Sequence, residues 1–208
     1  MILLSFFLLT LAAPLHDPLD LALASYQRVA SYRVTIHSRS DSSNETLKYF
    51  FKKPGFVRME FVDPHRGAIL VYSPRKKEAR LRPFGFMKSL VLTLRPDNRL
   101  ITSAQGHRVD ASDFGALLES ARKLRDSGKS TTQGPDIVNG KKALLVAVEG
   151  EEGASVEHNV HRCLLWLDAQ TYLPLKTMTY DESGELLEEV VMEGLAVNIP
   201  LPDRFFEL

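Results

Sequence analysis

The chain is poor in cysteine and carries no net charge. Cys163 is the only cysteine among 208 residues, so an intramolecular disulfide bond is excluded. Lysine and arginine total 26, and aspartate and glutamate also total 26, so no overall positive charge attracts nucleic acid. Nucleic acid is therefore not among the partners that we predict.

Motifs typical of nucleophilic and phosphate-binding enzymes are also missing. The chain has no Gly-x-Ser-x-Gly motif and no glycine-rich loop of the kind that cradles phosphate. Cys163 precedes two leucines in an apolar segment, where burial raises the pKa of a thiol and lowers its reactivity. We therefore predict that the protein is not an enzyme and needs no cofactor.

His158, His161 and Cys163 are the residues whose types suggest a metal site. A structural zinc site needs four ligands, and a catalytic one needs three ligands with supporting hydrogen bonds. The sequence offers no companion pair of ligands elsewhere. A half-buried strand with a small apolar cysteine explains the cluster, and we predict no metal.

One long apolar run stands at the start of the chain. Ile2–Leu11 has no charged residue and is shorter than the roughly 20 residues that span a bilayer. Its length and the small residues after it are typical of a secretory signal peptide cleaved near Ala12 or Ala13. We predict a signal peptide over residues 1–13, a single domain over residues 14–208, and a soluble mature protein in the periplasm.

The most informative segment runs from Tyr49 to Tyr72. Its aromatic and β-branched residues, interrupted by Pro-Gly and Asp-Pro, predict consecutive strands of an antiparallel meander. A three-residue loop over 54–56 collects the charged side chains on one face. The other face is then apolar and contains Tyr49, Phe51, Val57, Met59 and Phe61. Such a face either packs a core or lines a cavity for an apolar ligand.

The rest of the chain alternates between two helical segments and further strands. Apolar spacing predicts one helix over 18–30 and a second, capped by Ser112, that ends near Leu124. Strands are predicted over 32–39, 141–149, 162–167, 175–180 and 186–197. The apolar segment Phe84–Met87 shows no helical or strand periodicity, which indicates a loop. Because a loop would otherwise expose these apolar side chains to water, we expect the segment to cover another apolar surface. These elements predict a mostly β fold, with a large, strongly curved antiparallel sheet around the helices.

Several stretches carry a family resemblance. They are Ala22–Val34, Phe50–Gly55, Leu165–Asp168, Leu173–Lys176, Asp181–Glu185 and Pro202–Phe206. Through them the chain resembles the periplasmic lipoprotein carrier superfamily, the LolA/LolB-like outer-membrane lipoprotein-sorting proteins. The resemblance implies an α+β, mostly β fold: an unclosed, strongly curved antiparallel half-barrel of about 10–11 strands. Helices would cover its concave, hydrophobic face.

The resemblance also implies a function. Members of the superfamily hold the acyl chains of lipoproteins or bind lipid-like ligands, so we expect a non-enzymatic carrier or chaperone for lipoprotein acyl chains or other amphiphiles. Its partners would be an inner-membrane transporter or an outer-membrane acceptor, and we expect a monomer. The alternative is a lipid- or partner-binding module in envelope signalling, and an envelope lipid hydrolase is a remote third possibility.

Site residues follow from the apolar face and from the resemblance. We expect Tyr49, Phe51, Val57, Met59 and Phe61 to bind lipid. In the carriers an arginine before a proline helps to hold the lid closed, and Lys53 stands at the matching position here. The predicted lid consists of Lys53, Phe84, Phe86, Met87, Phe114, Leu117 and Leu118.

Overall fold

The computed structural model describes residues 17–86 and 89–208, so the predicted signal peptide and Met87 lie outside the described residues. The described chain forms two α-helices, α1 (Pro18–Gln27) and α2 (Phe114–Asp126). Its strands are β1 (Ser31–Arg39), β2 (Asn44–Lys52), β3 (Phe56–Asp63), β4 (Ile69–Ser73), β5 (Glu78–Arg82), β6 (Leu92–Leu94), β7 (Gly128–Val138), β8 (Lys141–Gly150), β9 (Arg162–Asp168), β10 (Pro174–Tyr180) and β11 (Leu186–Val197).

These eleven strands form one antiparallel sheet in the order β6-β5-β4-β3-β2-β1-β11-β10-β9-β8-β7. The first and last strands therefore pair in the middle, and each half of the sheet is a meander that runs outward from them. Strands β6 and β7 are the two edges and do not pair with each other, so the sheet is unclosed. This confirms the predicted mostly β fold with an unclosed antiparallel sheet.

The aromatic hairpin of β2 and β3 has the predicted face assignment. Phe51 pairs with Val57 and Tyr49 pairs with Met59 across the two strands. The loop has three residues, as predicted, but it covers 53–55 rather than 54–56. The pairing shifts by an even number of residues, so each side chain keeps its predicted face.

Both helices begin at a capping aspartate. The Asp17 side chain accepts a hydrogen bond from the Leu19 amide at 2.9 Å at the start of α1. At the start of α2, Asp113 accepts from the Gly115 amide at 2.6 Å. The predicted cap Ser112 is therefore wrong by one residue. Its hydroxyl is instead within 3.1 Å of the Val109 carbonyl oxygen.

The two helices contact each other and pack on the same face of the sheet. Arg125 of α2 forms ion pairs with Asp17 at 2.8 Å and Asp20 at 2.7 Å, and so ties the end of α2 to the start of α1. The Tyr26 hydroxyl donates to the Asp113 carboxylate at 2.6 Å. A continuous core of buried residues from both helices and the sheet lies beneath them. Its fully buried large side chains include Leu19, Tyr32, Tyr49, Leu70, Leu118, Leu124, Leu165 and Leu167.

Candidate ligand-binding cavity

A cavity of about 1300 Å³ lies between the sheet, helix α2 and the segment that precedes α2. Its wall is formed by side chains from β1 to β6, from β9 to β11 and from α2. The cavity exceeds the roughly 300–1,000 Å³ of ordinary small-molecule pockets. The packing of the helices therefore leaves a large part of the apolar sheet face uncovered.

Stacked aromatic rings form the end of the cavity beneath the start of α2. The Tyr32 ring stacks on Phe114 with a centroid distance of 4.4 Å and on Tyr49 with a distance of 5.8 Å. The Tyr49 hydroxyl lies 3.0 Å from the Ser112 hydroxyl, and the Phe114 amide donates to the Tyr32 hydroxyl at 3.2 Å. Burial raises the pKa of both phenols, so they stay neutral hydrogen-bonding groups.

The structure divides the predicted lipid-binding residues into two groups. Tyr49, Met59 and Phe61 line the cavity. Tyr49 is also part of the packed core, whereas Phe51 and Val57 belong to the core alone and do not border the cavity. They lie next to the hairpin loop, where α1 covers the sheet and its Tyr26 ring comes within 6.3 Å of the Phe51 ring. The same apolar face therefore packs core at one end and borders the cavity at the other.

The predicted lid residues also separate. Phe84, Phe114 and Leu117 line the cavity, whereas Leu118 is fully buried in the core. Phe86 stacks on Phe84 at 5.4 Å but is 82% exposed.

Lys53 has different partners from those expected. From the matching arginine of the carriers, we expected Lys53 to help hold the lid formed by 84–87 and α2. The ammonium instead donates to the carbonyl oxygens of Tyr26 at 3.2 Å and Gln27 at 2.8 Å, at the end of α1. The Lys53 amide bonds the Ala30 carbonyl, which places the side chain beside this helix terminus. The last carbonyls of a helix carry partial negative charge and attract a cation, so the expected partner was wrong.

A polar end of the cavity was missed by the sequence reasoning. Glu188 of β11 is only 8% exposed, and its two carboxylate oxygens have separate partners. Ser38 donates to one oxygen at 2.6 Å, and the imidazole Nε2 of His107 lies 2.9 Å from the other. The His158 ring contacts the His107 ring edge to face at 4.7 Å. Burial, together with the nearby His107, lowers the pKa of His158.

The three residues considered for a metal site do not converge. Cys163 is buried at the cavity wall, and burial raises the pKa of its thiol to about 12. His161 Nδ1 is 2.7 Å from the Ala154 carbonyl oxygen, so its ring is engaged by the backbone. No cluster of three or more potential ligands occurs within residues 17–86 and 89–208. In the same part of the chain, no helix has the length and hydrophobicity needed to cross a membrane.

The unclosed antiparallel sheet with two helices on one face is the LolA-like fold. The sequence profile of the MucB/RseB N-terminal domain matches residues 87–207, which is more than half of the chain. The chain belongs to the MucB/RseB N-terminal domain family. No protein of curated function matches it significantly in sequence.

Solved structures share the fold at low sequence identity. The Pseudomonas aeruginosa MucA/MucB complex matches with 20% identity and a TM-score of 0.57, covering 92% of this chain and 60% of that chain. The Mycobacterium tuberculosis lipoprotein LppX matches with 12% identity and a TM-score of 0.54, covering 89% and 95%. An uncharacterized conserved protein of Thermus thermophilus matches with 11% identity and a TM-score of 0.56, covering 92% and 91%. The chain thus spans 60% of the length of the MucB-complex chain that it matches.

Proposed function

We propose that the protein is a non-catalytic binding module in envelope signalling, which takes an amphiphile into its cavity and docks a partner protein. One observation carries the proposal: a cavity of about 1300 Å³ with a mostly apolar wall in a domain of the MucB/RseB family. An apolar wall of this size gains free energy when an apolar chain replaces water. The buried Cys163 thiol, with its raised pKa, is a poor nucleophile, which supports a binding role over a hydrolytic one.

Burial of an acyl chain supplies enough energy for reversible binding. Each methylene contributes on the order of 0.8 kcal/mol, so a long chain gains roughly 10 kcal/mol before costs. Ordering the chain and docking its head group remove a large part of that gain. The flexible thioethers of Met59 and Met192, both at the wall, suit ligands of variable shape.

The partner side of the proposal rests on family membership. MucB has been crystallised in complex with MucA(peri), and this chain has the same fold over 92% of its length. We infer that the present protein also docks a protein partner in the periplasm, where its predicted signal peptide would send it. The carrier role implied by the LolA/LolB resemblance uses the same cavity, but membership of the MucB/RseB family favours signalling.

The cavity is tested by introducing a charge at its wall. Phe61 lines the cavity, whereas its neighbour Val62 on the same strand is 42% exposed and lies outside the wall. We expect Phe61→Asp to weaken binding of the uncharged fluorophore N-phenyl-1-naphthylamine by at least about tenfold, because a buried carboxylate is costly in an apolar site. Fluorescence titration measures the change, and Val62→Asp is the matched control.

Two results of the titration would contradict the proposal. If the wild-type protein gives no fluorescence enhancement, or if Phe61→Asp and Val62→Asp bind the fluorophore as the wild type does, the cavity is not a ligand site.

A further inference from the structure

The charges on the cavity wall are mostly negative. Five carboxylates line the cavity, and Arg108 is the one lysine or arginine among the described lining residues. With the histidines neutral, the wall is therefore negative by four charges. The carboxylates belong to Glu45, Asp110, Asp113, Glu157 and Glu188, and the lining histidines are His65, His107 and His158.

The arginine and two of the carboxylates are already engaged. Arg108 makes a bidentate ion pair with Asp110, at 3.0 Å from Nε and 2.7 Å from Nη2, so its charge is neutralised locally. The Asp113 carboxylate caps α2 and accepts the Tyr26 hydroxyl. Glu157 is exposed to solvent. Of the two carboxylates that remain, that of Glu188 has Ser38 and His107 as partners but no lysine or arginine among the described residues. The other belongs to Glu45.

Glu45 and Glu188 lie on the same side of the sheet, separated by one strand. Glu45 of β2 pairs directly with Ser38 of β1, and the Ser38 hydroxyl donates to Glu188 of β11 at 2.6 Å. Directly paired residues have Cβ atoms about 4.5–5.5 Å apart, so the Glu45 carboxylate borders the Ser38–Glu188 pair.

Glu45 is the carboxylate of this pair that has no partner of its own. Within residues 17–86 and 89–208, no donor forms a hydrogen bond or ion pair with the half-buried Glu45 carboxylate. Burial raises the pKa of Glu45, and repulsion by Glu188 adds to the increase while His65 opposes it.

This arrangement selects the head group of a ligand. A phosphate or carboxylate at this end would add a further negative charge beside two glutamates in a poorly solvated site. An ammonium group would supply the missing cation and donate hydrogen bonds to Glu45 and to the free lone pairs of Glu188. Leu47 and Phe61 lie next to Glu45 along the wall, so an apolar chain attached to such a head group would enter the apolar part of the cavity.

We infer that the cavity takes cationic amphiphiles, with an amine head group held by Glu45 and Glu188 and an apolar chain along Leu47, Phe61 and Tyr49. The inference rests on the proposed ligand-binding function and specifies its ligand class. It also predicts that anionic lipids are poor ligands, because like charges at the polar end oppose their binding.

Three ligands with the same twelve-carbon chain test the inference: dodecylamine, dodecanol and laurate. Each displaces N-phenyl-1-naphthylamine from the protein at neutral pH, below its aggregation concentration. We expect dodecylamine to displace the fluorophore at a concentration about tenfold lower than dodecanol does, because a charge-assisted hydrogen bond to the glutamates strengthens binding by about that factor. Laurate should displace the fluorophore least well. Glu45→Gln should remove most of the advantage of the amine over dodecanol.

Asp41→Asn is the matched control, because it removes a carboxylate from an exposed turn four positions from Glu45 and outside the cavity wall. Equal displacement by amine and alcohol, stronger displacement by laurate, or an unchanged amine advantage in Glu45→Gln would each overturn the inference and leave the proposed function intact. If the wild-type protein binds neither the fluorophore nor any of the three ligands, the proposed function fails together with the inference.

Discussion

Glu188 gives the cavity its polar character, although it lies in a strand of largely apolar residues. Its neighbours Val190 and Met192 point to the same side and line the cavity, whereas Glu189 points to the opposite face and pairs with Lys176. Two adjacent glutamates in a strand must face opposite sides, so alternation would have identified one of them as inward-facing. The usual expectation that a carboxylate faces solvent failed because Ser38 and His107 satisfy its oxygens.

The raised pKa of the single residue Glu45 predicts how the stability of the protein depends on pH. Its pKa is raised in the folded protein, so the folded state binds the proton more tightly than the unfolded chain does. Ionisation of Glu45 therefore lowers stability as the pH rises through the folded-state pKa. We expect Glu45→Gln to stabilise the ligand-free protein at neutral pH by less than about 1 kcal/mol, since the group is half exposed. Urea unfolding at a series of pH values measures the effect.

The way in which the stability gain of Glu45→Gln changes with pH checks this explanation. The gain should disappear as the pH falls below the ordinary glutamate pKa, because Glu45 is then protonated in both states. Asp41→Asn, in the exposed turn, should show no such gain. A loss of stability at neutral pH in Glu45→Gln would mean that the carboxylate makes a favourable interaction that its surroundings do not suggest.

At the scale of elements, the sequence predicts best where local signals agree. Strand β11 has the predicted bounds Leu186–Val197, because alternation and the turn before it define both ends. Strand β7 was missed entirely. It contains Gly134 and Pro135 at an irregularity in its pairing with β8, and most of its side chains are exposed, so it has no apolar period. An edge strand tolerates such residues because one side of its backbone needs no partner.

The contact between Lys53 and the end of α1 leads to a second prediction. Lys53→Met removes the hydrogen bonds to the Tyr26 and Gln27 carbonyl oxygens and the contact with the Tyr26 ring at 5.0 Å. We expect a loss of about 1 kcal/mol in the free energy of unfolding, because the end of α1 loses its cation. Hydrogen exchange should rise in α1 and in the turn that follows it.

The segment in which hydrogen exchange rises distinguishes the observed contact of Lys53 with α1 from the role in the lid that we first expected. Lys76→Met, at the exposed hairpin tip between β4 and β5, is the control and should leave both stability and exchange unchanged. Faster exchange in α2 with unchanged exchange in α1 would restore the lid contact that we first expected and contradict the contacts with α1.

At the scale of the whole molecule, the cavity results from how the two helices divide one sheet face. Helix α1 packs against the hairpin end of the face and buries Phe51, and α2 bridges the opposite part without filling it. The sequence predicts the apolar face from its period of two, but the position of each helix depends on distant contacts. One is the hydrogen bond between Tyr26 and Asp113, and another is the ion pair of Arg125 with Asp17. Local patterns contain no signal for such contacts, so core and cavity could not be told apart.

The methionine methyl groups report most directly on ligand binding in this cavity. Met59 and Met192 line it, whereas Met178 lies on the opposite face of β10, packed in a separate cluster with Trp166 and Leu175. In a protein labelled with ¹³C at the methionine methyl groups, NMR titration with N-phenyl-1-naphthylamine should shift the Met59 and Met192 resonances. The Met178 resonance should stay in place. Shifts confined to Met178, or no shift at Met59 and Met192 on saturation with the fluorophore, would contradict a ligand site between the sheet and α2.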